Sequence, residues 1–254
     1  MSKFVDKLQR LSKSSEPPIG FHPAASESKS PAMLLIAALP GVDAKEAEVL
    51  VNNGVDAGLI LNQSPKIIKP IVEAGGDVPL GVFVKGISEE KVNELMDLGC
   101  DFVVFDLKAS AVVATGERVG KFLLVEPSLE QGLVRAINSL DVDGVFLNRG
   151  KESFITVEHL LICQRFCELL GKPLVVTLPS LVTSAELSNL WQIGIDGIVV
   201  PSAQPKGAFS ELRRMIDSLP KRAKRRRGKI GAILPSLGGG VAGEEEEEEE
   251  EEEI

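Results

Sequence analysis

The chain has 254 residues, a formal net charge of −9, 44% hydrophobic and 26% charged residues, and only 3 Cys. That apolar fraction can bury a sizeable core, which excludes global disorder. No apolar run reaches the ~18 to 20 residues needed to span a bilayer. Met1 to Asp6 lacks the apolar stretch of a secretory signal. Three scattered cysteines make no disulfide framework, so a cytoplasmic, reducing setting is expected. Low aromatic content, 4% with no Tyr, argues against stacking sugars or bases on aromatic platforms.

Three regions are expected: residues 1–31, 32–220 and 221–254. In the first, Phe4, Val5, Leu8 and Leu11 have helical spacing, which predicts a short amphipathic helix. Ser12 to Pro31 reads as a Ser/Pro-rich connector.

From Met33 to Leu219, short apolar runs of β type alternate with helix-period segments. The runs are Met33 to Ala38, Ala57 to Leu61, Leu80 to Val84, Phe102 to Asp106, Phe122 to Val125, Gly144 to Leu147, Leu174 to Thr177 and Gly197 to Val200. Each is followed by a helical segment, least clearly at Ser110 to Val119. Asp43 with Glu46, Ser128 with Gln131, and Thr183 with Glu186 have capping-box spacing. Ser64-Pro65 places proline at a first helical position, and Pro70 predicts a short or kinked helix there. Gly54, Gly99, Gly171 and Gly194 are placed to end helices in a left-handed conformation.

An internal repeat runs through this region. Gly54-Val55-Asp56, Gly99-Cys100-Asp101, Asp141-Val142-Asp143 and Gly194-Ile195-Asp196 each precede an even-numbered strand. The last aspartates are 45, 42 and 53 residues apart, one βαβα unit each. Eight βα units with strands apolar on both faces read as a closed (β/α)8 TIM barrel. An open doubly wound sheet is the alternative. In a barrel, chain ends before the first strand and after the last helix lie at the face opposite the active site. The N-terminal helix is therefore expected to plug the barrel floor or make an oligomer contact.

The third region concentrates charge. Lys221 to Lys229 holds seven basic residues, Ile230 to Gly243 is an apolar Gly-rich spacer, and Glu244 to Glu253 is ten consecutive glutamates. Without both charged blocks the remainder carries −6. Like-charge blocks repel themselves and are expected to stay disordered. The basic block can contact nucleic acid, protein or an anionic membrane. It can also be masked by the glutamate run.

The strand ends and βα loops supply the candidate site. Lys85, Asp106, Lys108 and Glu126 come from three adjacent strands. Interleaved Lys and carboxylate groups shift each other's protonation and support proton transfer. Asn62, Asn148, Arg149, Thr177, Ser180 and Ser202 are candidates for binding substrate or an anion. The contrary reading is a solvated polar rim with structural ion pairs. Cys163 and Cys167 share a helix face with Leu160 and Leu170 and read as core. His159 is expected at the third position of a helix capped by Thr156, facing solvent. Two histidines make no His-rich metal site.

Pro173 to Ser202, PLVVTLPSLVTSAELSNLWQIGIDGIVVPS, resembles the last two strands of phosphate-binding (β/α)8 barrels such as thiamine phosphate synthase, tryptophan-pathway barrels and flavin-dependent nitronate oxidases. The cap, helix and Gly-x-Asp-Gly strand match. Leu178-Pro179-Ser180 replaces the family's glycine pair, and Pro201-Ser202 replaces Gly-Ser. The resemblance implies phosphate or FMN binding. The lost glycines count against FMN, so no cofactor is expected. Phe105-Asp106-Leu107-Lys108 resembles the Asp-x-Lys strand end of the orotidine phosphate decarboxylase superfamily, with Ala111 in place of its final aspartate. Lys85 matches a lysine one strand earlier, which would imply lyase chemistry.

Two functions follow as expectations. One is an enzyme that binds or transforms a small anionic phosphate or carboxylate metabolite by Lys/carboxylate acid–base chemistry. The other is a catalytically inactive barrel that serves as a binding, scaffold or assembly module, engaged through its charged tail or as a homo-oligomer.

Overall fold

Strand β1 (Leu34–Leu39) pairs in parallel with both β2 (Ala57–Ile60) and β8 (Gly197–Pro201). That last pairing, from Leu34↔Gly197 to Ala38↔Pro201, closes the sheet and excludes the open alternative. Between them run β3 (Leu80–Val84), β4 (Phe102–Asp106), β5 (Gly120–Val125), β6 (Gly144–Leu147) and β7 (Leu174–Thr177), in chain order around the barrel. The structure is a computed structural model and describes residues 2–13, 31–41, 47, 49–50, 53–86, 88–111, 113, 119–148, 154–178 and 182–220. Its helices are α1 (Lys3–Lys13), α2 (Pro65–Ala74), α3 (Glu89–Asp97), α4 (Gln131–Ala136), α5 (Val157–Leu169), α6 (Ser184–Ile193) and α7 (Ala208–Ser218).

Strand alternation divides the apolar residues into two cores. Leu35, Val82, Val103, Leu123, Val145 and Val176 belong to the core between strands and helices. Leu34, Ile36, Phe102, Val104, Phe122 and Phe146 belong to a second core inside the barrel. This double burial explains why the strands read as continuous apolar runs.

The inner core is completed by α1. Phe4 is fully buried and stacks on Phe102 at 4.4 Å between ring centroids, with Phe122 at 5.1 Å. Leu8 and Val5 are buried beside it. Gly81 admits this aromatic floor, because a Cβ there would overlap the Phe102 ring. The expected amphipathic helix thus plugs the floor of the barrel.

The repeated aspartates form the floor's polar frame. The backbone N–H groups of Asp56, Asp101, Asp143 and Asp196 donate to the carbonyls of Leu35, Leu80, Lys121 and Leu174, at 2.7 to 2.9 Å. At three of the four, the side chain accepts the N–H of the same partner: Leu35 to Asp56, Lys121 to Asp143 and Leu174 to Asp196. Asp101 differs. Its carboxylate accepts Ser2 Oγ at 2.7 Å, the Lys3 N–H at 2.7 Å and the Phe4 N–H at 2.9 Å. A carboxylate on the first amides of a helix satisfies orphan donors and suits the helix dipole. The second of the four repeats therefore holds the plug.

Local expectations divide in the same region-by-region way. Thr183 and Glu186 form the full capping box of α6, and Ser64-Pro65 opens α2, which continues through Pro70. Thr156 caps α5 by accepting the His159 N–H. Gly54, Gly99 and Gly194 have positive φ. Ser128 does not cap: the chain turns from Glu126 to Leu129 and α4 starts later, with Glu130 at its N-cap. Gly171 is not left-handed, because Leu170 already leaves α5 in an extended conformation. His159 is buried at 6% exposure rather than facing solvent, on the side of α5 that packs into the outer core. Cys163 and Cys167 are core residues, and burial pushes the Cys163 thiol up to about 12. Asp43 and Glu46, most of Ser110 to Val119, the connector beyond residue 13 and everything after Pro220 lie outside the described residues.

Candidate functional site

The C-terminal ends of the strands surround a cavity of about 250 Å³. Its walls are inward-facing side chains one layer above the aromatic floor, including Leu59, Phe83, Val104, Leu124, Phe146 and Val199. Asn148 and Thr177 are the polar residues of the lining. The mouth is therefore an apolar well, closed below by the phenylalanine cluster.

Four of the candidate residues follow these wall positions along the chain. Two residues beyond Phe83, Val104, Leu124 and Phe146 stand Lys85, Asp106, Glu126 and Asn148; of the four, Asn148 lines the cavity. Lys85 and Glu126 are exposed, and Asp106 is half-buried. Asn148 Nδ2 donates to Glu126 Oε1 at 2.9 Å, which ties the ends of β5 and β6 together. Asp106 Oδ1 accepts the Lys108 N–H at 3.0 Å in a local turn, and the Lys108 side chain is exposed. Among the described residues no ion pair joins Lys85, Asp106, Lys108 and Glu126. The Lys85 and Lys108 side chains are exposed, whereas Asp106 and Glu126 each accept one hydrogen bond.

The remaining candidates are spread around the rim. Asn62 braces two loops: its Nδ2 donates to the Gly41 carbonyl at 3.0 Å and its Oδ1 accepts the Ser64 N–H at 2.9 Å. The approach is close, and Gly41 has φ +75°, so a side chain there would collide with Asn62. Thr177 Oγ1 donates to the Leu147 carbonyl at 3.4 Å. The Ser202 N–H donates to the Ala38 carbonyl and extends the β8–β1 ladder. Arg149 and Ser180 lie outside the described residues. Among the described residues, no cluster of three or more His, Cys, Asp or Glu is arranged to hold a metal ion. No described helix is long and apolar enough to cross a membrane.

The apolar wall was missing from the sequence-based list of site residues. Its signal was present: Phe83, Val104 and Leu124 stand two positions before Lys85, Asp106 and Glu126, and Leu59 two before Leu61, which also lines the cavity. They carry the same residue types as the packed core, so composition alone does not separate a wall from a filling.

These features define a (β/α)8 barrel with a plugged floor and an open, apolar mouth. No protein-family model matches the chain, and no curated protein matches it. Solved structures do. A chain from Aquifex aeolicus VF5 is 15% identical with a TM-score of 0.57, covering 85% of this chain and 97% of that one. Tryptophan synthase from M. tuberculosis, in a ligand-free form, is 14% identical with a TM-score of 0.58, covering 85% and 100%. A mutant tryptophan synthase alpha-subunit from Pyrococcus furiosus is 12% identical with a TM-score of 0.56, covering 73% and 96%. At these identities the likeness is one of fold.

Proposed function

We propose that the barrel mouth binds a small metabolite with an apolar body and an anionic end, a carboxylate or a phosphate. The observation that carries this reading is the pairing of layers. An apolar well of about 250 Å³ has polar residues two positions beyond four of its wall residues. Wells of this kind, apolar with a few convergent polar groups, are the usual form of small-molecule sites. The apolar body enters between Phe83 and Leu124, and the anion meets the Lys85 ammonium. Asp106 and Glu126 stand on the neighbouring strands as proton acceptors, with Lys108 as a second cation. The resemblance of Pro173 to Ser202 to phosphate-binding barrels and the tryptophan synthase neighbours favour a phosphate-bearing ligand. Ser202 and the start of α7, which has no side-chain cap at Gly207, would serve that group.

A second reading is a binding barrel without chemistry. It is favoured by the two polar lining residues, which bond to the protein itself: Asn148 to Glu126 and Thr177 to Leu147. Ligand-induced thermal shift against a panel of apolar carboxylates and phosphates tests the proposal. The wild type is expected to respond to at least one compound, and Lys85→Ala to lose the response. Turnover of that compound, lost in Asp106→Ala, separates the enzyme from the binding module. No shift with any compound would contradict both readings.

A further inference from the structure

Among the described residues, seven large apolar side chains are exposed. Three of them, Phe154, Val157 and Leu161, lie within eight residues at the start of α5, and a fourth, Leu133, stands on the neighbouring helix α4. The described residues of α1, α2, α3, α6 and α7 expose none. In α5, His159, Cys163, Phe166 and Cys167 are buried on the core side. At about 3.6 residues per turn, Val157, Leu161, Gln164 and Glu168 then form the opposite ridge. A helix that is apolar on both faces is one that is covered on both.

The two flanks of this ridge differ. Glu158 and Arg165 are seven residues apart, so both stand on the flank toward α4, where Arg165 Nη2 donates to the Pro127 carbonyl. Neither has an ion-pair partner among the described residues, and Arg165 Nε is buried without a hydrogen-bond partner. On the other flank, an open groove between α5 and α6 is lined by Leu160, Gln164, Asn189, Gln192 and Ile193.

We infer that the α5 ridge is the interface of a homodimer, in which two copies pack their α5 helices antiparallel about a two-fold axis beside Leu161. Charge complementarity identifies a second copy as the occupant. Antiparallel pairing centred between Leu161 and Ile162 brings Glu158 of each copy level with the partner's Arg165, on the same flank, so two identical ion pairs form. It also sets Glu168 at the start of the partner's α5, where the helix dipole favours a carboxylate. A parallel pairing leaves the two charged stripes on opposite flanks and unpaired. On the groove flank, the amides of Gln164, Asn189 and Gln192 carry both donors and an acceptor, which makes that surface self-complementary as an isologous interface requires. The four exposed apolar side chains, 55 to 74% accessible, offer roughly 400 Å², about half of the ~800 Å² that each partner of a stable interface buries, and the polar flanks supply the rest.

Analytical ultracentrifugation of the full chain tests this. A dimer is expected at about 100 μM, and Val157→Asp combined with Leu161→Asp should weaken association at least about tenfold. The circular dichroism spectrum of that variant should be unchanged, since both side chains are exposed. Cys100, Cys163 and Cys167 are buried, so a single introduced thiol reports the arrangement. On oxidation, Leu161→Cys should cross-link into a covalent dimer, because the axis sets that position against its own copy. Glu158→Cys should not, because its mate lies about 10 Å away along the helix. A monomer at that concentration, or a dimer indifferent to Val157→Asp and Leu161→Asp, overturns the interface. Failure of Leu161→Cys to cross-link, or equal cross-linking through Glu158→Cys, overturns the antiparallel arrangement.

Discussion

The two ends of the barrel use the same inward positions in opposite ways. At the floor, Phe102 and Phe122 meet Phe4 from α1, and the interior is filled. At the mouth, Phe83, Val104 and Leu124 pack on the inner core from above, and a cavity of about 250 Å³ remains over them. The floor is framed by backbone-bound aspartates, whereas the mouth is ringed by charges that bond little. The difference teaches that the most regular sequence feature, the repeated aspartate, serves stability. The irregular feature, a row of unlike groups at strand ends, is where the proposed ligand recognition lies.

The contrast breaks most sharply at Phe4. Phe4→Ala should cost about 3 to 4 kcal/mol, read from denaturant unfolding, because it removes a fully buried ring and leaves a cavity. The four aspartates come next. Asp101→Ala loses three charge-assisted acceptor bonds and should cost about 2 to 3 kcal/mol. Asp143→Ala loses one side-chain bond, from the Lys121 N–H, and should cost about 1 kcal/mol in the same measurement. If the two variants were equal, the special role of the Asp101 repeat would be wrong.

At the mouth the order reverses. Leu124→Trp fills the well and should change stability by less than about 1.5 kcal/mol while abolishing ligand-induced thermal shifts. A stability loss as large as that of Phe4→Ala would show that the well is packed core. The smallest effect is at the capping box of α6. The Thr183 backbone N–H beside Glu186 holds its carboxyl below the usual glutamate range. A depressed folded value means that the contribution is present above the ordinary glutamate range and is lost as pH falls through the folded value. The stability difference between wild type and Glu186→Gln should therefore shrink on acidification, as followed by thermal melts across that range.

Much of this architecture was legible in the chain. The eight strands could be read because double burial makes each a continuous apolar run. The plug could be read because Phe4, Val5 and Leu8 share a helical face. The diversion of Asp101 could not, since its local sequence matches the other repeats and its partner lies 97 to 99 residues away. Ser128 misled for a local reason, because a turn from Glu126 delays the helix. His159 misled for a tertiary one, because it shares the buried face of α5 with Cys163 and Phe166. Of the site, the rim residues could be named from strand ends. The well beneath them could not, because an empty interior layer and a filled one are spelled with the same residues.

The most direct measurement is the crystallographic electron density of a compound that passes the thermal-shift screen. The account predicts an apolar body between Phe83 and Leu124, with its anionic group beside Lys85. Density on the outer helices, or an anion held away from the rim while the well stays empty, would contradict it.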